Sequence, residues 1–197
     1  MPHDLACRCG AIRGFVERDA RANHMVCYCA DCQDYAHILA RPDILDERGG
    51  TEVVQTMPKF VTVTQGADRL ACLRMTEKGP LRWYASCCNT PIGNTALTHR
   101  IAFVGLVAAC LTGRPVEETF GPVAMWGCTA GAKGEPKPPE TSMRKIMARI
   151  VPRTIVARLD GSYRKTPFFD VETGRAVAEP RLVGPEERAR LAEVAGN

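Results

Sequence analysis

The chain has 197 residues, 45% of them hydrophobic and 6% aromatic, with a formal net charge of +4. This is enough apolar material for one packed domain, or for a domain with a long appendage. No stretch approaches the roughly 18 to 20 apolar residues of a membrane span, so no membrane association is expected. The opening Met-Pro-His-Asp has neither a charged nor an apolar segment, so the sequence predicts no secretory signal and a cytoplasmic, reducing location.

In chain order, Ala11–Glu17 predicts a strand, and Asp31–Ala40 a short helix that stops before Arg41-Pro42. Thr51–Thr56 and Phe60–Gln65, both rich in Val and Thr, and Leu70–Met75 predict strands, with Gly66-Ala67-Asp68 turning between the last two. Leu81–Ala85 and Ile101–Leu111 complete a mainly β region, the second reading as one buried strand. Gly131–Glu140, with its prolines, predicts a linker. Thr141–Leu159 carries Met143, Ile146, Met147, Ile150 and Val151 at helical spacing, interrupted at Pro152. Thr166–Pro180, with Phe168-Phe169 and a Thr173-Gly174 turn, predicts a short hairpin. Pro185 opens a last helix through Val194. The expected division is a β domain over residues 1–112 and a C-terminal extension over 113–197, comprising linker, basic helix, hairpin and terminal helix.

Ten cysteines in a reducing compartment are not expected to form disulfides. Cys27, Cys29 and Cys32 form C-x-C-x-x-C, so three thiolates can occupy three corners of one tetrahedron, and no fourth ligand lies nearby in sequence. Three protein ligands with an open position is the arrangement of a catalytic zinc. Cys7 and Cys9 supply two corners and need a distant pair, for which Cys87 and Cys88 are the remaining cluster. Such a four-thiolate site is closed, and its binding free energy contributes to folding. Adjacent residues on a strand point to opposite faces, so Cys87 and Cys88 can share an ion only from a turn. Asn89-Thr90-Pro91 supplies turn chemistry. Cys72, Cys110 and Cys128 stand alone and read as small hydrophobes of the core. Two zinc ions per chain are therefore expected.

The order Cys-x-Cys-Gly at 7–10, Cys-x-Cys-x-x-Cys at 27–32, and aromatic-x-x-x-Cys-x-Thr-Pro at 84–91 resembles the glutathione-dependent formaldehyde-activating enzyme family. Centromere protein V belongs to the same superfamily. The resemblance spans residues 5 to about 112 and implies a compact β-tent of small antiparallel sheets with one structural and one exchangeable zinc. By position it places Cys7, Cys9 and Cys88 on structural ligands, and Cys27, Cys29 and Cys32 on catalytic ones. The family's Cys-x-x-Cys-Gly is Ala85-Ser86-Cys87-Cys88-Asn89 here. Either Cys87 substitutes for the missing cysteine or the site has another fourth ligand. The extension after residue 112 is not part of the minimal family domain, as in an uncharacterised branch.

The activity implied is that of a carbon–sulfur lyase or synthase resembling S-(hydroxymethyl)glutathione synthase, with a small thiol such as glutathione and an aldehyde as partners. A proton donor is needed. Asp31 lies inside the metal-binding loop but reads first as an N-cap of the following helix, while His24 and His37 read as surface or packing residues. Arg144, Lys145, Arg149, Arg153, Arg158, Arg164 and Lys165 face only Asp160 over residues 141–165. A solvated helix face is the expectation for such a run, with an anion clamp as the functional counterpart. The alternative is a non-enzymatic zinc module whose basic C-terminal arm contacts a partner or nucleic acid. Without interleaved aromatics, nucleic acid is not expected.

Overall fold

Short runs of β-branched and aromatic residues separated by turn-forming glycines, prolines and aspartates favour many brief strands over long helices. The computed structural model describes residues 1–195. Its first half holds β1 (His3–Ala6), β2 (Arg13–Val16), β3 (Asn23–Cys27), α1 (Ala30–Ile38), β4 (Thr51–Thr56), β5 (Val61–Gln65), β6 (Leu70–Arg74), β7 (Leu81–Ala85) and β8 (Pro91–Thr95). There follow β9 (Val104–Val107), β10 (Leu111–Thr112), α2 (Val116–Phe120), β11 (Met125–Gly127), α3 (Met143–Leu159), β12 (Pro180–Leu182) and α4 (Pro185–Ala195). The protein is mainly β, as expected, with helices at the periphery.

Two sheets form. A four-stranded sheet runs β10-β1-β2-β5, and an eight-stranded one runs β11-β3-β4-β9-β8-β7-β6-β12. Pairing is antiparallel except at the two ends of the larger sheet, where β11 lies parallel to β3 and β12 parallel to β6. The larger sheet is therefore mixed, where small antiparallel sheets alone were expected. Trp83, Ile12, Val54, Leu106 and Phe168 fill the main core, each with at most 1% or less of its surface exposed. No helix among the described residues is long and apolar enough to cross a membrane.

The expected single strand over Ile101–Leu111 is divided. β9 lies in the large sheet, a 3-10 turn spans Ala108–Cys110, and β10 continues in the small sheet. The turn lets one apolar run serve two sheets. Pro152 does not interrupt α3, whose Ser142 cap accepts a hydrogen bond from the Lys145 backbone N–H. Its burial of Ile146 against Met25, Val53 and Met125, and of Ala157 against Met57 and Ala102, holds the helix in place despite the lost backbone donor. The segment after residue 112, expected as an extension, supplies both outer strands of the large sheet and places Phe168 5.2 Å from Trp83, ring to ring.

Candidate metal centres

The first centre is built by two turns. Gly10, at φ 75°, closes the Cys7–Gly10 turn by donating its N–H to the Cys7 carbonyl, so Cys7 and Cys9 project together. Across from them, the N–H groups of Cys88 and Asn89 reach back to the Ala85 carbonyl, and Asn89 takes φ 54°. The Arg8 N–H donates to the Thr90 hydroxyl at 2.9 Å and latches the turns together.

The turn resolves the difficulty of adjacent cysteines. Cys87 Sγ lies 3.8 Å from Cys7 Sγ, 3.3 Å from Cys9 Sγ and 3.9 Å from Cys88 Sγ, with Cys7 and Cys9 3.6 Å apart. Four thiolates bound at ~2.3 Å in a tetrahedron would stand about 3.8 Å apart. A disulfide would need about 2.05 Å. The group thus fits a metal ion, with Cys87 among its four sulfurs. Ala85 is fully buried in the main core. Burial opposes ionisation of Cys88, but hydrogen bonds from the Thr90 hydroxyl and the Cys9 and Thr90 backbones bring its thiol down to about 6. Burial and the neighbouring Cys9, Cys7 and Cys88 push Cys87 up to about 12.

The second centre lies at the end of β3. Cys27 closes the strand, Cys29 is the N-cap of α1 and Cys32 sits in its first turn, so all three sulfurs lie within 4.8 Å of one another. Cys27 and Cys29 are 3.5 Å apart. Hydrogen bonds from the Cys27 and Cys29 thiols hold the buried Cys32 well below its ordinary value, with the Arg82 guanidinium adding to the effect. Contact with Cys29, and then with Cys32, pushes Cys27 up.

Arg82, on β7, is the residue that sequence reasoning missed. It is 3% exposed, with Nη1 3.7 Å from Cys32 Sγ and Nη2 3.6 Å from an Asp31 carboxylate oxygen. Its guanidinium also lies over the Tyr35 ring, 5.4 Å from the centroid. An arginine in a strand otherwise made of Leu, Trp, Tyr and Ala was the available signal. Asp31 is not the N-cap expected. Cys29 holds that position, and Asp31 is engaged by Arg82 and by Arg188 of α4 at 3.3 Å. Its carboxylate faces both guanidinium groups.

His24 is buried, with Nε2 2.7 Å from Glu52 and Nδ1 2.6 Å from the Gly121 carbonyl oxygen. His37 lies in the last turn of α1. Cys72 and Cys110 are buried in the main core, as expected. Cys128 is not a core residue. It is half-buried at φ 57°, beside Cys27. Part of the basic run on α3 is tied inward: Arg149 donates to Asn23 at 2.5 Å, Arg153 pairs with Asp19, and Arg158 stacks on Tyr163. An open apolar cavity of about 280 Å³ reaches Cys27 and Cys128, walled by Met25, Phe103, Ile146 and Ile150.

Fold and sites together define a mainly β protein with two cysteine centres, each able to hold a metal ion. The chain belongs to the family of unknown function DUF6151, whose model matches residues 2–180. That match ends at Pro180, the first residue of β12, and so includes most of the segment expected as an extension. No curated protein matches the chain. A Rhodobacter sphaeroides protein solved by a structural-genomics programme is similar at 18% identity and a TM-score of 0.45, over 63% of this chain and 99% of that one.

Proposed function

We propose that the protein is a zinc-dependent enzyme that makes or breaks a carbon–sulfur bond in a thiol–aldehyde adduct, with the chemistry at Cys27, Cys29 and Cys32. In the synthetic direction the thiol sulfur bonds to the aldehyde carbon, the carbonyl π bond opens, and the thiol proton ends on the oxygen. Nothing is oxidised or reduced. The resemblance to formaldehyde-activating enzymes supports the reaction type. The observation that carries the reading is the apolar cavity that reaches Cys27 at a centre of three clustered thiols.

Zinc held there would supply the acidity that turns a weakly acidic substrate thiol into a thiolate at neutral pH. The protein's own residues do the rest. Arg82 offsets the negative charge of the cluster from below, Asp31 and Tyr35 hold Arg82 in position, and Met25, Phe103 and Ile150 give the approach to Cys27 an apolar wall. Cys7, Cys9, Cys87 and Cys88 hold the second, structural zinc, pinning the turn after β1 to the one after β7.

The lining of the cavity also bears on the substrate. Glutathione is a charged tripeptide, whereas this cavity offers mainly Met, Ile and Phe side chains. A small thiol with an apolar body fits it better. The test is to replace zinc with cobalt and titrate glutathione against butanethiol and benzyl mercaptan. A change in the thiolate-to-cobalt absorption is expected at lower concentration for the apolar thiols. A spectrum indifferent to all three would remove the enzyme reading and favour a non-enzymatic zinc module.

A further inference from the structure

The second centre has three sulfurs from one loop, and a fourth stands beside it from another part of the chain. β11 pairs with β3 in parallel register, Gly127 opposite Cys27, so the next residue, Cys128, emerges at the end of the strand that carries the centre. Its side chain lines the same cavity as Cys27, next to the group of three sulfurs that lie within 4.8 Å of one another.

The placement is enforced by the surrounding structure. The Tyr28 N–H donates to the Gly127 carbonyl at 3.0 Å. Gln33, buried in α1, donates to the carbonyls of both Tyr28 and Gly131, at 3.0 and 3.1 Å, and so ties the cysteine loop to the turn after Cys128. That turn comes so close that a Cβ on Gly131 would stand 2.2 Å from the Tyr28 carbonyl oxygen. Cys128 itself is held in the left-handed region, which a residue with a side chain adopts only when its surroundings require it.

We propose that Cys128 is the fourth ligand of the ion at Cys27, Cys29 and Cys32, and that it occupies the position a substrate thiol must take. The proposal rests on the metal-binding reading of this centre. Cys128 lines the same apolar cavity as Cys27, so substrate and Cys128 approach from one side. Cys27, Cys29 and Cys32 come from β3 and the start of α1, whereas Cys128 comes from a separate turn. It is therefore the sulfur that can leave without unfolding the helix. On exchange, the proton of the incoming thiol goes to the Cys128 sulfur that it displaces, with no change at carbon and no change in oxidation state. Four thiolates with one divalent ion carry a net charge of about −2, which the buried Arg82 brings nearer to −1. A resting four-sulfur centre would protect the ion, and the substrate would open it.

The test compares wild-type protein with Cys128→Ser and Cys128→Ala, each loaded with cobalt, and uses Cys29→Ser to identify the signal of this centre. Folding of each variant is checked by near-ultraviolet circular dichroism. The thiolate-to-cobalt absorption of this centre should fall by about one quarter in both Cys128 variants, as expected for loss of one sulfur in four. A chelator should remove the ion at least about tenfold faster. Unchanged absorption and unchanged chelator rates in both folded variants would overturn the proposal while leaving the three-thiolate centre intact. Folded wild-type protein that takes up one cobalt, with a spectrum that Cys29→Ser does not alter, would remove the metal centre itself and the proposal with it.

Discussion

Replacing Arg82 with leucine should weaken metal binding at Cys27, Cys29 and Cys32 while sparing the centre at Cys7, Cys9, Cys87 and Cys88. Two unit charges 3.7 Å apart, the separation of Arg82 Nη1 and Cys32 Sγ, attract by about 4 to 5 kcal/mol at an effective dielectric constant near 20. Burying the guanidinium offsets part of this, since Arg82 is almost fully removed from water. Residues that support metal ligands from behind typically change affinity by about 10- to 100-fold, or roughly 1.4 to 2.7 kcal/mol. That range is the expected loss for Arg82→Leu. Arg82→Lys keeps the charge but not the fork that reaches Cys32 and Asp31 together, so it should fall between the variant and wild type. Competition with a colourimetric chelator measures both affinities in one titration. An unchanged weaker affinity, or equal loss at both centres in folded protein, would refute the assignment of Arg82 to the second centre.

Cys9→Ser should lower the melting temperature by roughly 6 to 12 °C or more, because loss of about 3 kcal/mol of structural-metal binding has that effect in a chain of this size; Cys29→Ser should lower it much less, and calorimetry distinguishes the two. Phe168→Ala should destabilise the protein by about 3 to 5 kcal/mol in a urea melt, because the ring is fully buried against Trp83. For the same reason, a chain ending at residue 140 should not fold, which a truncation expressed and assayed by circular dichroism would show. His3 is buried, and burial, with Arg114 nearby, lowers its folded pKa below the ordinary 6.5. The unfolded chain therefore takes up the proton first, and stability should decline as pH falls from about 6.5 through the lower folded value. His3→Gln should flatten this part of the denaturation profile relative to wild type.

The cysteine spacing carried much of both centres. C-x-C and C-x-x-C fix where sulfurs project over a few residues of backbone, so Cys7 with Cys9, and Cys27 with Cys29 and Cys32, were legible from local geometry. The strands β2, β4, β5 and β7 were legible for a related reason: their Val, Thr and aromatic residues suit a pleated surface whatever lies across from it, while β6 was marked by its leucines and the turn before it. β8, Pro91–Thr95, was not, because a Pro-Ile-Gly-Asn-Thr stretch has poor intrinsic strand character and is extended by its neighbours β7 and β9. β11 and β12 are short for the same reason, being edge strands recruited by β3 and β6.

What tertiary structure decided is which distant residues meet. Cys87 joins Cys7 and Cys9 because the turn after β7 bends back through Asn89 and is latched by Arg8 and Thr90. Arg82 lies beneath Cys32, and Cys128 lies beside Cys27, only because of sheet order and the parallel register of β11 on β3. Local spacing constrains a ligand through a few dihedral angles. Contacts between residues about fifty to a hundred positions apart are fixed by strand register, which depends on burying the whole apolar face at once. Hence the sequence by itself determined the kind of chemistry, cysteines gathered into groups able to hold a metal, while the fold chose the charge beneath one centre and brought Cys128 to the same cavity.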